Sequence, residues 1–539
     1  MQRRRVLTSC LAAGSLIVAG ALAAMPGATA AGPPKVVGKY HHLVVIYEEN
    51  HSFDNLYGQW GSVNGEPVEG RAAADPAHTT QVAQNGTSYG CLLQNDVNLT
   101  SPPLANTCQD QAHNVASSAF VNSPFRIDDY IAAQDRTCPA PGVFAGNGVL
   151  KDSPGSLPGG CTRDLVHRFY QEQYQLDGGK QDRYVTGSDA VGLTMGYYDT
   201  KALPIWKYLH APGAPKYVVA DHFFQAAFGG SFLNHQFLIA ARAPLDTAAG
   251  PNGPDAGLHS VVDSSGFPNA TYPLYTPKPN ETYKDAQLTQ ACGPAANPAV
   301  ACGDLAVNTM QPSSPPFGGG AKLPLVDDTT YPNIGDRLSA ADVSWAWYSG
   351  GWNNAAAGHP DPLFQFHHQP FNYFAAYAPG QPGRAHLRDE TEFISAARSG
   401  SLPSVSFVKP YGAENEHPGY ASEPNGSDHL VDLLEAVENG PQAGDTLVVV
   451  TYDEFGGQWD HVSPPGMGTT GVHDQFGPVS RIPALVLSRS LPHSGVDHTV
   501  YDTTSILATI ERGLGLAPLT NRDAQVADLT NALQVAGRH

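Results

Sequence analysis

The stretch Leu447-Val448-Val449-Val450-Thr451-Tyr452-Asp453-Glu454-Phe455-Gly456-Gly457-Gln458-Trp459-Asp460-His461-Val462 decides the fold. Its opening run of β-branched and apolar residues reads as a buried strand. The run ends on two adjacent carboxylates, followed by two glycines and Asp460-His461. Like charges at the end of a buried strand are costly unless a cation neutralises them. Hard oxygen ligands on such a ledge suit a divalent metal. The pattern recurs near the other end of the chain, where Leu43-Val44-Val45-Ile46-Tyr47 runs into Glu48-Glu49-Asn50-His51-Ser52-Phe53-Asp54. Two strands that each deliver acids and amides at a C-terminal edge predict one site built from distant segments. A solvated acidic loop is the plainer reading of either strand alone; their recurrence, with this density of His and Gly, favours the site.

Other core-like segments lie between these two. Residues 217–220, 405–408 and 484–487 read as strands, the first followed by Asp221-His222. Leu430, Leu433, Leu434 and Val437 fall at helical spacing, and a further helix starts near Ser505, with Thr503, Thr504 or Ser505 as its cap. Alternating strands and helices predict an α/β fold, a mainly parallel central sheet covered on both faces. Residues 61–161 and 243–324 break the rhythm with turn-forming residues and read as insertions that wall or cover the site.

Residues 1–30 read as an export signal: Arg3-Arg4-Arg5, an apolar stretch over 16–24, and small residues at Ala28-Thr29-Ala30. Arg3-Arg4 before Val6-Leu7 also fits the twin-arginine route. One catalytic domain is expected over 31–539. It holds Cys91, Cys108, Cys138, Cys161, Cys292 and Cys302. An even count in an exported chain reads as disulfides, and sequence neighbours suggest the pairs 91–108, 138–161 and 292–302, although spacing alone does not fix connectivity. No later stretch reaches the length of a membrane span, so no stable membrane anchor is expected. The formal charge of −20 makes nucleic acid and anionic membranes poor partners. Nothing in the sequence points to a protein partner.

The chemistry gathers at Gly229-Gly230-Ser231-Phe232-Leu233-Asn234-His235-Gln236, after the strand at 217–220. A small-residue turn before a helix can present Ser231 as a nucleophile near backbone N–H groups. A serine there is otherwise an N-cap, and the metal-type acids elsewhere tip the balance. The GxSxG match at 86–90 lacks the strand–turn–helix context of a nucleophile elbow, so a conventional esterase is not expected. His167, His367-His368 and His417 sit beside Pro and Gly turns, where they can bind an anion and move protons.

Together these motifs resemble the bacterial phosphoesterases that join phospholipases C to acid phosphatase A, within the alkaline phosphatase-like superfamily. The resemblance runs from Glu49-Asn50-His51-Ser52-Phe53-Asp54 through Met195-Gly196-Tyr197-Tyr198, Gly230-Ser231 with Asn234, and Glu416-His417-Pro418. It continues over Asp453-Glu454-Phe455-Gly456-Gly457 with Asp460-His461 to Arg481-Ile482-Pro483 and 501–505. It implies a three-layer α/β/α sandwich and a divalent metal held by Glu49, Asn50, Asp453 and Glu454. It also implies a Ser231 nucleophile with His167, His368 and His417 around the phosphoryl group. His367, His461 and Asn234 would complete the substrate side, Asn234 orienting the nucleophile loop. Glu454 stands where some members carry a second Asp, and His235 replaces an arginine of many phospholipases C.

His235 and the run at 175–183 resemble the acid phosphatase A branch, so the expected activity is phosphomonoester hydrolysis through a phosphorylated Ser231, with His417 or His368 protonating the leaving oxygen. A phospholipase C is the first alternative, and a non-catalytic metal-stabilised binder of phosphate compounds is another. The donor set permits Ca, Mn, Fe or Zn. No Cys/Ser-x-Pro-x-Arg motif surrounds Ser231, which argues against a sulfatase.

Overall fold

Eight strands form the central sheet: β1 (His42–Glu48), β2 (Lys216–Ala220), β3 (Trp345–Ser349), β4 (Leu387–Asp389), β5 (Val405–Lys409), β6 (Thr446–Tyr452), β7 (Ala484–Ser488) and β8 (Gly495–Asp497). Their spatial order is β4-β3-β5-β1-β6-β7-β2-β8. Every neighbouring pair is parallel except the two made by β7, with β6 and with β2. The computed structural model describes residues 34–259, 287–294, 297 and 300–538. The signal segment and 260–286, part of the second insertion, lie outside the described residues.

All seven residues of β1 and of β6 are buried, as strands covered on both faces require. Among the helices are α1 (Phe169–Leu176), α2 (Pro204–His210), α3 (Ser231–Ala240), α4 (Ile334–Ala340), α5 (Glu390–Ser399), α6 (Glu423–Glu438) and α7 (Thr504–Leu514). Helix α6 packs on α2 and α5, while α3 packs on α4 and α7. The result is the expected three-layer α/β/α sandwich. Helix α7 departs in detail from the expected cap: Thr503 is its N-cap but makes no side-chain cap bond. Asp502 accepts from the Thr504 N–H instead, at 2.7 Å, because a carboxylate one residue earlier reaches the same orphan donor.

Sheet register does most of the work of assembling the site. β1 and β6 pair so that Glu48 lies opposite Tyr452. The residues that follow, Glu49-Asn50 and Asp453-Glu454, therefore leave the sheet side by side. On the other flank of β1, β5 ends on Lys409.

Residues 61–161 and the described part of 243–324 add no strand to this sheet; their strands pair in small two-stranded sheets. Disulfides join Cys91 to Cys108, Cys138 to Cys161 and Cys292 to Cys302.

Candidate active site

Ser231 is the first residue of α3. Gly230 occupies the N-cap position and no side chain caps the helix, so the Ser231 hydroxyl is not spent on the helix end. It donates to Glu49 Oε2 at 3.1 Å and lies 3.4 Å from Glu454 Oε1. Gly230 sits in a crowded place: a Cβ there would come to 3.0 Å from the His167 ring and 3.5 Å from Glu454. Asn234, one helical turn on, donates to Gly229 O at 2.7 Å and accepts from Ala227 N at 3.1 Å. It braces the turn that presents Ser231. Its side chain is fully buried.

Glu49, Asp453 and Glu454 are fully buried. The Lys409 ammonium, also fully buried, lies 2.5 Å from Glu49 Oε1, and His368 Nε2 lies 2.8 Å from the same oxygen. Although burial pushes the Glu49 carboxyl up, His368 and Lys409 hold it well below the usual range. Asp453 and Glu454 go the other way: burial raises both, with Glu49 adding to Asp453 and Asp453 adding to Glu454. Three carboxylates facing one ammonium leave an excess of negative charge in a dry site, which a divalent cation would neutralise.

The Asn50 amide makes the fit to a cation specific. With its nitrogen towards the carboxylates it donates to Glu49 Oε2 at 2.8 Å and Asp453 Oδ1 at 3.2 Å, but its oxygen then needs a proton from His417 Nε2 at 2.9 Å. His417 Nδ1 already faces Pro418 O at 2.7 Å, so that arrangement demands an imidazolium. Burial drives His417 the opposite way, down to about 3. In the other orientation a neutral His417 accepts from the amide, and the Asn50 oxygen converges on the Glu49 and Asp453 oxygens. Three acceptor oxygens gathered in this way suit a metal ion. Asp453 Oδ2, buried without a hydrogen-bond partner, adds to the case. Gly456 serves the same geometry: it adopts φ +64°, and a Cβ would lie 2.7 Å from Asn50 O.

Beside this centre opens a cavity of about 310 Å³, lined among others by Glu49, Ser231, His167, His367, His417 and Arg168. His167 Nε2 lies 3.3 Å from Glu454 Oε1, and its ring is 5.9 Å from that of His417. Burial lowers His167 to about 4 and also lowers His367 and His368. His368 is not among the cavity-lining residues, and its Nε2 is engaged with Glu49.

Two residues were missed by sequence reasoning. Lys409 ends a strand already identified at 405–408, and a lysine closing a buried strand was the available signal. The sequence marks His235 as a replacement and as a feature of one branch, with no role in the site. Its Nδ1 donates to Ser231 O at 2.7 Å, its ring stacks on His368 at 5.0 Å, and it reaches to 3.8 Å from Asp453 Oδ2. Glu49, His235 and His368 together form a cluster that could hold a metal ion.

His461, expected on the substrate side, is elsewhere. It is 5% exposed and belongs to a buried network in which Arg481 donates to Asp460 at 2.9 Å and Asp54 at 3.2 Å, while His461 Nδ1 donates to Asp54 Oδ2 at 2.5 Å. The network ties the loop leaving β6 to the segment after β1, and Arg481 already supplies its cation. Burial alone would lower His461, but bonds to Asp54 and Glu69 raise it to about 9. Its folded value thus exceeds the ordinary 6.5. This stabilisation, at most about 3 kcal/mol, should be complete below pH ~6.5 and lost as pH rises through ~9. Thermal midpoints between about pH 6 and 10 test this: the native protein should lose stability over the upper part of the range, and His461→Gln should flatten that loss. A native midpoint independent of pH there would contradict the assignment.

A three-layer sandwich thus carries a buried acid cluster at the sheet's C-terminal edge, facing a helix-start serine. Residues 148–517 match the Phosphoesterase family, and the chain belongs to it. Phospholipase C A of Mycobacterium tuberculosis (strain H37Rv) is 24% identical over 99% of this chain and 86% of its own length. The non-hemolytic phospholipase C of Pseudomonas aeruginosa is 27% identical over 39% of this chain and 33% of its own. A solved structure of a protein in the alkaline phosphatase superfamily from Vibrio parahaemolyticus aligns with 12% identity and a TM-score of 0.24, covering 37% of this chain and 50% of that one. The chain is therefore an enzyme that hydrolyses phosphoric ester bonds, which displaces the non-catalytic alternative. No described helix is long and apolar enough to cross a membrane.

Proposed function

We propose that the chain cleaves phosphomonoesters by in-line attack of Ser231, with a divalent metal ion held by Glu49, Asn50, Asp453 and Glu454. The observation that carries this reading is the Ser231 hydroxyl directed at Glu49 and Glu454 rather than at its own helix end. Bound there, the ion would lower the pKa of the hydroxyl and offset charge on the phosphoryl oxygens. Ser231 gives up its proton to the adjoining carboxylates as its oxygen bonds to phosphorus and the ester P–O bond breaks. His417 lines the cavity with its Nε2 taken up by the Asn50 amide, so it orients Asn50, and a water in the open cavity hands a proton to the leaving oxygen. Water then attacks the phosphoserine, releasing phosphate and restoring the hydroxyl. Lys409 and His368 keep Glu49 ionised and in place throughout. His167, His367 and Arg168 line the space the phosphoryl group would take, and the Arg168 guanidinium suits a dianionic monoester. The three disulfides support action outside the cytoplasm, and the leader sequence supports export by the twin-arginine route.

A phospholipase C activity is the second reading. The relatives named above support it, and so does Phe144, a cavity-wall residue left 55% exposed at the mouth, where an acyl chain could lie. A panel of aryl and alkyl phosphomonoesters against phosphatidylcholine vesicles separates the two. The first reading predicts a kcat/KM for monoesters at least ~10-fold higher. Phosphocholine release from vesicles with little monoester turnover would replace it with the second.

A further inference from the structure

A second cluster of ligand-type side chains lies at the far edge of the sheet, outside the catalytic site. β2 and β8 are parallel neighbours with Ala220 opposite Asp497. The next residues, Asp221-His222 and His498, therefore emerge together. His222 Nδ1 lies 3.0 Å and His498 Nδ1 2.9 Å from one oxygen, Asp221 Oδ1. Asp221 is fully buried, and its other oxygen is already engaged by Glu69 N at 2.7 Å. The far nitrogen of each ring faces a glutamate: His222 Nε2 is 3.3 Å from Glu69 Oε2, and His498 Nε2 is 3.6 Å from Glu66 Oε1. Both glutamates come from the start of the first insertion.

From this arrangement we infer a second metal site, for a borderline transition ion of the zinc type, with His222 Nδ1, His498 Nδ1 and Asp221 Oδ1 as ligands. Two imidazoles and one carboxylate are a zinc-type donor set. Ligands about 2.0 Å from a tetrahedral ion stand about 3.3 Å apart, close to the two nitrogen–oxygen separations here, and all three donor atoms lie within 4.8 Å of one another. Glu69 and Glu66 occupy the places where metal-binding histidines find the carboxylates that fix their tautomer and orientation. On binding, the Nδ1 proton of each neutral ring moves through solvent to Nε2, which frees the Nδ1 lone pair for the ion and leaves an Nε2–H to donate to the glutamate; a doubly protonated ring releases its Nδ1 proton instead. The site is a staple. It joins the edges of β2 and β8 to the root of the insertion, and Glu69 passes the contact on to His461, 3.8 Å away.

The test uses the full chain with Zn²⁺ and, as a spectroscopic probe, Co²⁺. Protein equilibrated with Zn²⁺ and freed of excess by gel filtration is assayed for bound metal, next to a His222→Ala/His498→Ala double variant. The variant should carry about one equivalent less, lack the visible band of tetrahedral Co²⁺ contributed by this site, and keep its phosphoesterase rate. Glu66→Gln and Glu69→Gln leave every donor atom in place and should weaken Zn²⁺ binding at this site by about 10- to 100-fold each. They carry the test if the double variant does not fold. Equal metal content and an equal Co²⁺ spectrum in native and variant proteins would overturn the inference, as would unchanged affinity in both glutamine variants. Because the catalytic residues are untouched, these results are independent of the function proposed above.

Discussion

Ser231→Ala should lower phosphoesterase turnover by a factor on the order of 10³ or more, with little change in thermal midpoint or bound metal. The serine oxygen is the atom that bonds to phosphorus, and it is the Ser231 hydroxyl that contacts Glu49 and Glu454. The fold should tolerate the change because the hydroxyl does not cap α3; a true cap would cost about 1 kcal/mol. Three measurements on one preparation decide it: rate, midpoint and metal content. A variant that stays fully active while losing stability would reverse the assignment. A stable, metal-loaded and inactive one agrees with it.

The second large effect concerns the ion. Removal by a chelator should abolish turnover and also lower the thermal midpoint, because Glu49, Asp453 and Glu454 are all fully buried against the single ammonium of Lys409. A ligand present at about 1,000 times its dissociation constant stabilises the folded state by about 4 kcal/mol. That much should vanish with the ion and return on adding it back. Asp453→Asn should mimic the chelated state, with metal content falling along with rate. Full activity after exhaustive chelation, with no metal bound, would rule out the ion's role.

How much of this was legible in the sequence depends on the kind of signal. β1 and β6 announce themselves as apolar runs ending in acids, and their parallel pairing follows from the same buried character. The convergence of Glu49, Asn50, Asp453 and Glu454 was therefore readable across some 400 residues. Ser231 was ambiguous, because a serine at a helix start is usually a cap, and only the Gly230 cap position resolves it. β4 and β8 span three residues each, too short for any periodicity to show. Lys409 and His235 act through tertiary contacts with Glu49 and Ser231 that local sequence does not encode. His461 was misplaced for a related reason. Its neighbour Asp460 looked like part of the acidic ledge, whereas two glycines after Glu454 swing the chain away, to Arg481 and Asp54. The short ring-to-glutamate distances at His222 and His498 were likewise invisible, since Glu66 and Glu69 come from an insertion whose path the sequence does not fix.

The claim on which the catalytic account turns is a covalent bond between Ser231 and phosphorus. It is tested most directly by quenching the enzyme in acid during turnover of a slow aryl phosphate and mapping the phosphorylated peptide by mass spectrometry. The account predicts one phosphoryl group on Ser231, appearing with substrate, absent from Ser231→Ala and chasing away as substrate is exhausted. A turning-over enzyme in which Ser231 stays unmodified at every quench time while another side chain carries the phosphoryl group would contradict it.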